Sequence, residues 1–446
     1  MRKRYWVVLG LILALVLGVF AVACGEDDAT STTAGGAETT AGGTDTTAGG
    51  SETTAGGTDT TAGGTETTAG AAKTLTIGVP IGLTGWISAQ DIVAAEELKI
   101  AADLINEDGG ITVGGQQYTI ELVLEDTQSD FDGCAAAVNK LIFDNKVQYI
   151  VGANAMFNTV VSPICNENKV LQSAVYSVLQ PGEIDATTPY TFLTSNGFVG
   201  RSMASIASLK EYYPDAKNVA VVLVDDGGIP YMTPIVKNFL GAQGVTIAGD
   251  EIVGFANELQ DFSPIGAKLD AIGEVDAVLH ITGIISHVAS LVKSYRELGN
   301  EAVPYVTALL ANCGDIYKVA GEIAADGIFS NAATPGDPEN PPMMAELIKR
   351  LQAKLGEDTA VYLEYANSLV VLVNAIEMAQ STDPTEIAKY WEAEVDTIET
   401  LFGAGKMGGE QTHGIANHAV AHPMCMQMMK DGEQVPAGWV DIGQIP

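Results

Sequence analysis

Positive charge is scarce in this chain. Its 446 residues hold 22 Lys and Arg against 56 Asp and Glu, a formal net charge of −34. A surface that acidic repels phosphate backbones and anionic lipid, which excludes nucleic acid as a partner. Cysteine is scarcer still. The five, Cys24, Cys134, Cys165, Cys313 and Cys425, include no CxxC pair, so neither a zinc site nor a thioredoxin-type motif is written here. His413, His418 and His422 lie close in sequence, and in a strand His418 and His422 share a face. No His-Glu or Cys-pair spacing completes a metal site around them. Ser290-Leu291-Val292-Lys293 has the S-x-x-K pattern, but no S-D-N or K-T-G follows, and a Ser and Lys one turn apart on a helix are commonplace. The run from Asn106 to Gly110 is too short for a calcium loop and ends a helix instead. The expectation is a protein that is not an enzyme and uses no cofactor and no metal.

What the chain does have begins at the N-terminus. Arg2, Lys3 and Arg4 precede a charge-free run over residues 5–23, the layout of an export signal. Phe20-Ala21-Val22-Ala23-Cys24 resembles a lipoprotein cleavage box, with Ala21 where that box usually has Leu. The resemblance implies removal of residues 1–23 and lipidation of Cys24; an uncleaved anchor helix is the alternative. Within residues 24–72, Thr32 to Glu66 carry the repeat TTAGG followed by AE, TD, SE or TE. Two glycines per unit and alanine as the only apolar side chain leave nothing to offset the entropy of ordering. A disordered tether is expected, reaching roughly 35–40 Å at 5–6 Å × √n.

From Lys73 onward about 370 residues remain, enough for two sizeable lobes. Residues 74–79 read as a buried strand, residues 80–90 as a loop with Trp86 exposed, and 92–105 as a helix closed by Gly109-Gly110. Strands are predicted at 119–125, 147–151 and 170–176, with helices at 134–145 and 158–168 between them. The pattern restarts after residue 197 with strands at 218–224, 246–253, 277–281 and 304–307. Helices are predicted at 198–213, 231–243, 262–272 and 286–298. Three further helices, 343–355, 361–380 and 384–394, precede a hairpin around Asp431-Gly432. Such alternation is an α/β chain with doubly wound parallel sheets, whose ligands bind beyond the carboxyl ends of the strands.

The segments GLTG, AADLINEDGGI, LEDTQSD, NKLIF, VQYIVGA, AVVLVDD and DFSPIGAKL, in this order and spacing, resemble type I periplasmic binding proteins of the branched-chain amino-acid ABC importer family. The resemblance spans nearly all of 73–446. It implies two Rossmann-like lobes joined by three hinge crossovers, placed near Thr194, Asn331 and Gly405. Lobe I is then 73–194 with 332–405, and lobe II is 195–331 with 406–446. It further implies a small-molecule ligand held between the lobes, an ABC permease as partner, a lipid anchor in the membrane, and a monomer outside the cytoplasm. A sensory receptor feeding a signalling partner is the rival.

The same resemblance places the ligand grip on Asn154, Ala155, Met156, Tyr176 and Ser177. It puts an aromatic position of the first loop on Gln90, beside Trp86, and the lobe II aromatic on Gly283, next to Thr282. The acid that pairs a ligand ammonium falls on Leu309. Either Asp225 or Asp226 substitutes for it or the ligand lacks an ammonium, and Tyr231 joins the same wall. The four cysteines beyond Cys24 allow three pairings. By the crossovers above, Cys134–Cys165 and Cys313–Cys425 are expected, since the other pairings would staple the lobes together. Cys165 as a buried free thiol is the alternative.

Overall fold

The computed structural model describes residues 71–446, apart from 178, 226–228, 283, 309–311, 358 and 360. The signal, Cys24 and the repeat lie outside them. The first strand, β1 (Lys73–Ile81), leads into α1 (Ser88–Glu107), a short β2 (Ile111–Val113) and β3 (Gln116–Asp126). Then follow α2 (Phe131–Phe143), β4 (Tyr149–Val151), α3 (Asn158–Glu167), β5 (Leu171–Ala174) and β6 (Thr191–Leu193). The second sheet begins with α4 (Gly197–Tyr212), β7 (Asn218–Val224), α5 (Ile229–Ala242), β8 (Thr246–Ile247) and β9 (Val253–Phe255). It continues through α6 (Ser263–Asp270), β10 (Ala277–Ile281), α7 (Ile285–Arg296), β11 (Tyr305–Thr307), α8 (Cys313–Ala320) and β12 (Ile328–Ser330). The chain returns with α9 (Pro342–Leu355), α10 (Glu364–Ala379), α11 (Pro384–Glu394), β13 (Thr397–Thr400), β14 (Gly403–Gly408), α12 (Glu410–His413) and β15 (Ala419–Ala421). It closes with the hairpin β16 (Met424–Lys430) and β17 (Glu433–Val440).

Two sheets result, each the centre of a lobe. One has nine strands in the order β13-β14-β15-β6-β5-β4-β1-β3-β2; the other runs β17-β16-β12-β11-β10-β7-β8, with β9 also on β7. The strands at the centre of each are parallel, as the β-α alternation requires. In β7 alternate residues serve the two faces. Val219, Val221 and Leu223 join one core, and Ala220 and Val222 the other, the period-2 pattern of a strand buried on both sides. In lobe I the odd residues of β1, Leu75 to Ile81, pack under α10, which is buried almost all round.

The chain passes from the first sheet to the second between Leu193 and Gly197, and back between Ser330 and Pro342. The third passage is not near Gly405. β14 and β15 pair with each other and β15 with β6, so residues 403–421 belong to lobe I and the crossing is His422-Pro423. Short strands, one of them Gly-rich, with only a four-residue helix among them gave no βα signal there. The last residues then return to lobe I, where Gly409 N–H donates to Ile445 O and Thr412 to Pro446 O. The strand expected over 246–253 is also broken. β8 and β9 pair successive parts of β7, separated by a turn in which Gly249 and Asp250 have φ of 72° and 61°.

The cysteine pairing is corrected as well. Cys134, Cys165, Cys313 and Cys425 are all buried free thiols. Cys313 and Cys425 lie in different cores, and Cys313 Sγ stands 3.2 Å from Ser330 Oγ, with Ile328 O and Gln427 O as its other neighbours. Cys134 and Cys165 do share one small core, between α2 and α3. Burial pushes the Cys134 and Cys313 thiols up to about 12, so they stay protonated and unreactive.

Candidate functional site

In each sheet the strand order reverses at one point. From β1 the chain moves to β3 on one side, then to β4 on the other; from β7 it moves to β8 and β9, then to β10 on the opposite side. At such switch points the loops beyond the strand ends diverge and leave a crevice. The candidate residues fall there. Trp86 follows β1, Asn154 to Met156 follow β4, and Tyr176-Ser177 follow the neighbouring β5; in lobe II Asp225 follows β7 and Thr282 follows β10.

The lobe I loops are laced together by side-chain oxygens. Asp126, at the end of β3, accepts from Leu83 N–H at 2.9 Å, Thr84 N–H at 3.2 Å and Gln128 N–H at 2.8 Å, and from the Thr84 hydroxyl at 2.7 Å. Burial acts to raise this carboxyl, but the four donors outweigh it and hold it below the usual range. Ser129 donates to Thr84 O, and Trp86 Nε1 donates to Ser129 O at 2.9 Å. The indole is thereby tied by its N–H while Trp86 as a whole stays 65% exposed. Gly85, with φ of 87°, lies so close to Gln128 O that a Cβ would sit 2.5 Å from it, so only glycine fits the crossing of these two loops.

Behind this lacing sits Asp91, 1% exposed, accepting from Gly82 N–H at 2.8 Å. Burial raises its pKa to about 6, with the Gly82 N–H and the Tyr365 hydroxyl opposing. That hydroxyl lies between Asp91 and the Asn154 side chain. Asn154 Oδ1 also accepts from Met156 N–H at 3.2 Å, capping the 3₁₀ turn that leads into α3. Ala155 is buried and Met156 is exposed. Six residues along α1 from Asp91, Glu97 is fully buried and accepts from Tyr362 and Leu363 N–H at 2.8 and 3.0 Å. It meets the N-terminal, positive end of α10. Burial nevertheless pushes its pKa up to about 8.

Not every candidate is available to a ligand in the same way. Ser177 is buried, and its hydroxyl donates to Glu183 at 2.6 Å while accepting from Leu179 N–H. The Tyr176 hydroxyl is buried without a hydrogen bond, and its ring lies 5.3 Å from the Arg201 guanidinium carbon. Gln90 is half-buried on the first turn of α1. In lobe II, Asp225 is exposed and its N–H donates to Phe255 O at 2.7 Å, whereas Thr282 is buried and its Oγ1 accepts from Ile284 N–H at 3.2 Å. Tyr231 is on the first turn of α5. Gly283, Leu309 and Asp226 lie outside the described residues. Two cavities, of about 380 and 660 Å³, are lined by Pro163, Asn166 and residues 187–189, and by residues along α9. Neither includes a loop at the switch points.

Sequence reasoning missed Asp91, Glu97, Arg201 and Glu364. The signal for the first two was present: Asp91, Ala94, Leu98 and Ala101 follow the 3.6-residue period, so a carboxylate sits on the buried face of α1. The three C-terminal histidines are structural. His418 stacks on Phe192 and His422 on Phe402, and His413 is buried. Among the described residues no group of three His, Cys, Asp or Glu is placed to hold a metal ion, and no helix is long and apolar enough to cross a membrane.

Two parallel α/β lobes, with crevices at the strand ends and several passages between them, define a two-lobed binding protein. A family model described as periplasmic binding protein matches residues 74–434, and the chain belongs to that family. It is 26% identical over 322 residues to the Leu/Ile/Val-binding protein homolog 2 of Brucella abortus, covering 70% of this chain and 81% of that protein. Among solved structures, a leucine-binding protein from Thermotoga maritima superposes with a TM-score of 0.62 at 22% identity, covering 82% of this chain and 99% of that one. A solute-binding protein of an ABC transporter from R. palustris, in complex with 4-hydroxybenzoate, superposes with a TM-score of 0.60 at 20% identity, covering 83% and 96%. The chain is thus a two-lobed member of the periplasmic binding protein family. Its relatives are binding proteins and not enzymes.

Proposed function

We propose that this chain is the lipid-anchored receptor of an ABC importer and that it captures a small carboxylate with an apolar or aromatic body. The observation that carries the reading is the placing of the candidate residues at the switch point of both parallel sheets. Export removes residues 1–23, Cys24 takes lipid, and residues 24–72 tether a monomeric body to the membrane. Trp86, Gln90, Asn154, Ala155, Met156, Tyr176 and Ser177 form the lobe I wall. Asp225 and Thr282 belong to that of lobe II, to which the family resemblance also assigns Tyr231, Gly283 and Leu309.

The ligand class follows from the character of these walls. Trp86 and Met156 offer exposed apolar surface, and Ile284 does the same in lobe II. Leu309 stands where the family resemblance puts the acid that pairs an ammonium, so a neutral end is favoured there. The carboxylate meets backbone N–H groups after β4 and β5. A ligand touching both lobes binds their closed arrangement better and so shifts the population toward it. The closed form is what the permease reads.

A thermal-shift panel of L-amino acids, hydroxybenzoates, aliphatic organic acids and amides tests this. At 100 times its Kd a true ligand adds about 2.7 kcal/mol of stability, so aromatic or apolar carboxylates should raise Tm clearly. A rise confined to cationic or strongly dicarboxylic compounds would contradict the wall assignment. If ligand-loaded protein leaves ATP hydrolysis by its reconstituted permease unchanged, the sensory reading replaces import.

A further inference from the structure

Arg201 is the first charged residue of α4 in lobe II, and its side chain is 0% exposed. Its Nη1 donates to Asn331 O at 3.3 Å and to Asn331 Oδ1 at 3.1 Å. Asn331 lies on the second passage between the lobes, and its Nδ2 donates back to Arg201 O at 3.0 Å and to Ser205 Oγ at 2.9 Å. On its other side Arg201 forms an ion pair with Glu364, the first residue of α10 in lobe I, which is also buried. The guanidinium carbon lies 5.3 Å from the ring centroid of Tyr176, in the loop beyond β5. One buried cation therefore touches a lobe II helix, a crossover, a lobe I helix and a candidate ligand contact.

A buried ion pair is a weak source of net stability, because desolvation of both charges offsets their attraction. Its best-attested use is to fix one arrangement among several. Here the partners sit on different lobes, so the pair is fully made only at one relative setting of α4 and α10. We propose that Arg201 is a positioning residue for ligand capture: its guanidinium pins the lobes at the hinge through Glu364 and Asn331 and orients the Tyr176 ring. Its effect on affinity rests on the receptor reading above; the pin itself does not.

The test therefore reads the ligand-free protein. Spin labels are attached in the full chain at Asp103→Cys on α1 and Lys268→Cys on α6, both exposed positions. The four native thiols of the body are buried and protonated, and Cys24→Ala removes the fifth, so none competes for the label. Arg201→Met and Glu364→Gln should each shift the mean inter-lobe distance by more than about 2 Å, the scale of a domain rearrangement, or broaden it visibly. Arg201→Lys, which keeps the charge but not the fork to Asn331, should restore the wild-type mean only in part. Amide protection of β7 and β1 shows that each lobe is folded; if Arg201→Met does not fold, Glu364→Gln, nearly isosteric, decides. Wild-type distance distributions in the folded variants would overturn the proposal. A failed ligand screen would not, because no ligand enters the measurement.

Discussion

Lobe I and lobe II bury different titratable groups. The buried carboxylates Asp91, Glu97, Glu183 and Glu364 all lie in lobe I, whereas the buried arginines Arg201 and Arg296 both lie in lobe II. They also place their polar ties at opposite ends. In lobe I, Asp126, Ser129 and Asp91 hold the loops beyond the carboxyl ends of β1 and β3. In lobe II, Arg296 donates to Ile323 O at 2.7 Å, Asp326 O at 2.9 Å and Val303 O at 3.2 Å, all before the strands they lead into. The cleft end of lobe I is thus fixed in advance, while the staple of lobe II lies at the far end of its sheet. Where the two chemistries meet, Arg201 and Glu364 join across the hinge.

Breaking the core of one lobe tests their independence first. Trp391 is fully buried and stacks on Phe192 at 4.1 Å, which stacks in turn on His418 at 4.2 Å. Trp391→Ala should cost about 3–5 kcal/mol in denaturant unfolding. Amide exchange should show the loss in β1, β5 and β6, with β7 and β10 still protected. Equal loss in both sheets would show one cooperative unit.

The second contrast is in pH. The folded pKa of Glu97, about 8, lies above its ordinary 4.5, so the folded state keeps a proton that the unfolded chain has released. This contribution is complete below pH 4.5 and is lost as pH rises to 8, on the order of 3–5 kcal/mol at 1.36 per unit. Burial lowers His280 to about 3 from 6.5, and its Nδ1 lies 2.7 Å from the Tyr305 hydroxyl. Its contribution is complete above pH 6.5 and is lost as pH falls toward 3. Amide exchange, corrected for intrinsic rates, should therefore weaken in lobe I between pH 6.5 and 8 while lobe II is unchanged. Glu97→Gln should flatten that fall and itself cost about 1–3 kcal/mol through the mismatched amide.

A smaller effect is expected at the packing of two lobe II helices. A Cβ on Gly266 of α6 would stand 2.9 and 3.0 Å from the Ser294 carbonyl carbon and oxygen in α7. Gly266→Ala should destabilise by about 1–3 kcal/mol, confined to lobe II by amide exchange. Least of all, maleimide should leave Cys134, Cys165, Cys313 and Cys425 unmodified in the native protein and react with all four after denaturation. Reaction of any one in the native state would contradict their burial.

Most of the architecture was legible because parallel βα units announce themselves twice, as an apolar run and as a periodic helix. The bounds of β7, β10 and α11 agree with those read from the sequence. What escaped is informative. β13 to β15 are short strands, β14 with glycines at 403, 405 and 408, and only the single turn of α12 lies among them, so nothing in their pattern assigns them to lobe I. Trp86 could be named because it lies in the loop beyond an apolar strand run, whereas Asn154 was named from the family resemblance alone. Arg201 and Glu364 could not be paired from sequence. They stand 163 positions apart on different lobes, and only the fold brings them together.

The central claim, a cleft built for a carboxylate without an ammonium, is tested most directly by calorimetric titration of 4-hydroxybenzoate and L-leucine into the same preparation. The expected result is tighter binding of 4-hydroxybenzoate by at least about tenfold, or 1.4 kcal/mol. A leucine Kd below about 1 µM, near −8 kcal/mol, would contradict it and restore a branched-chain amino acid as the ligand.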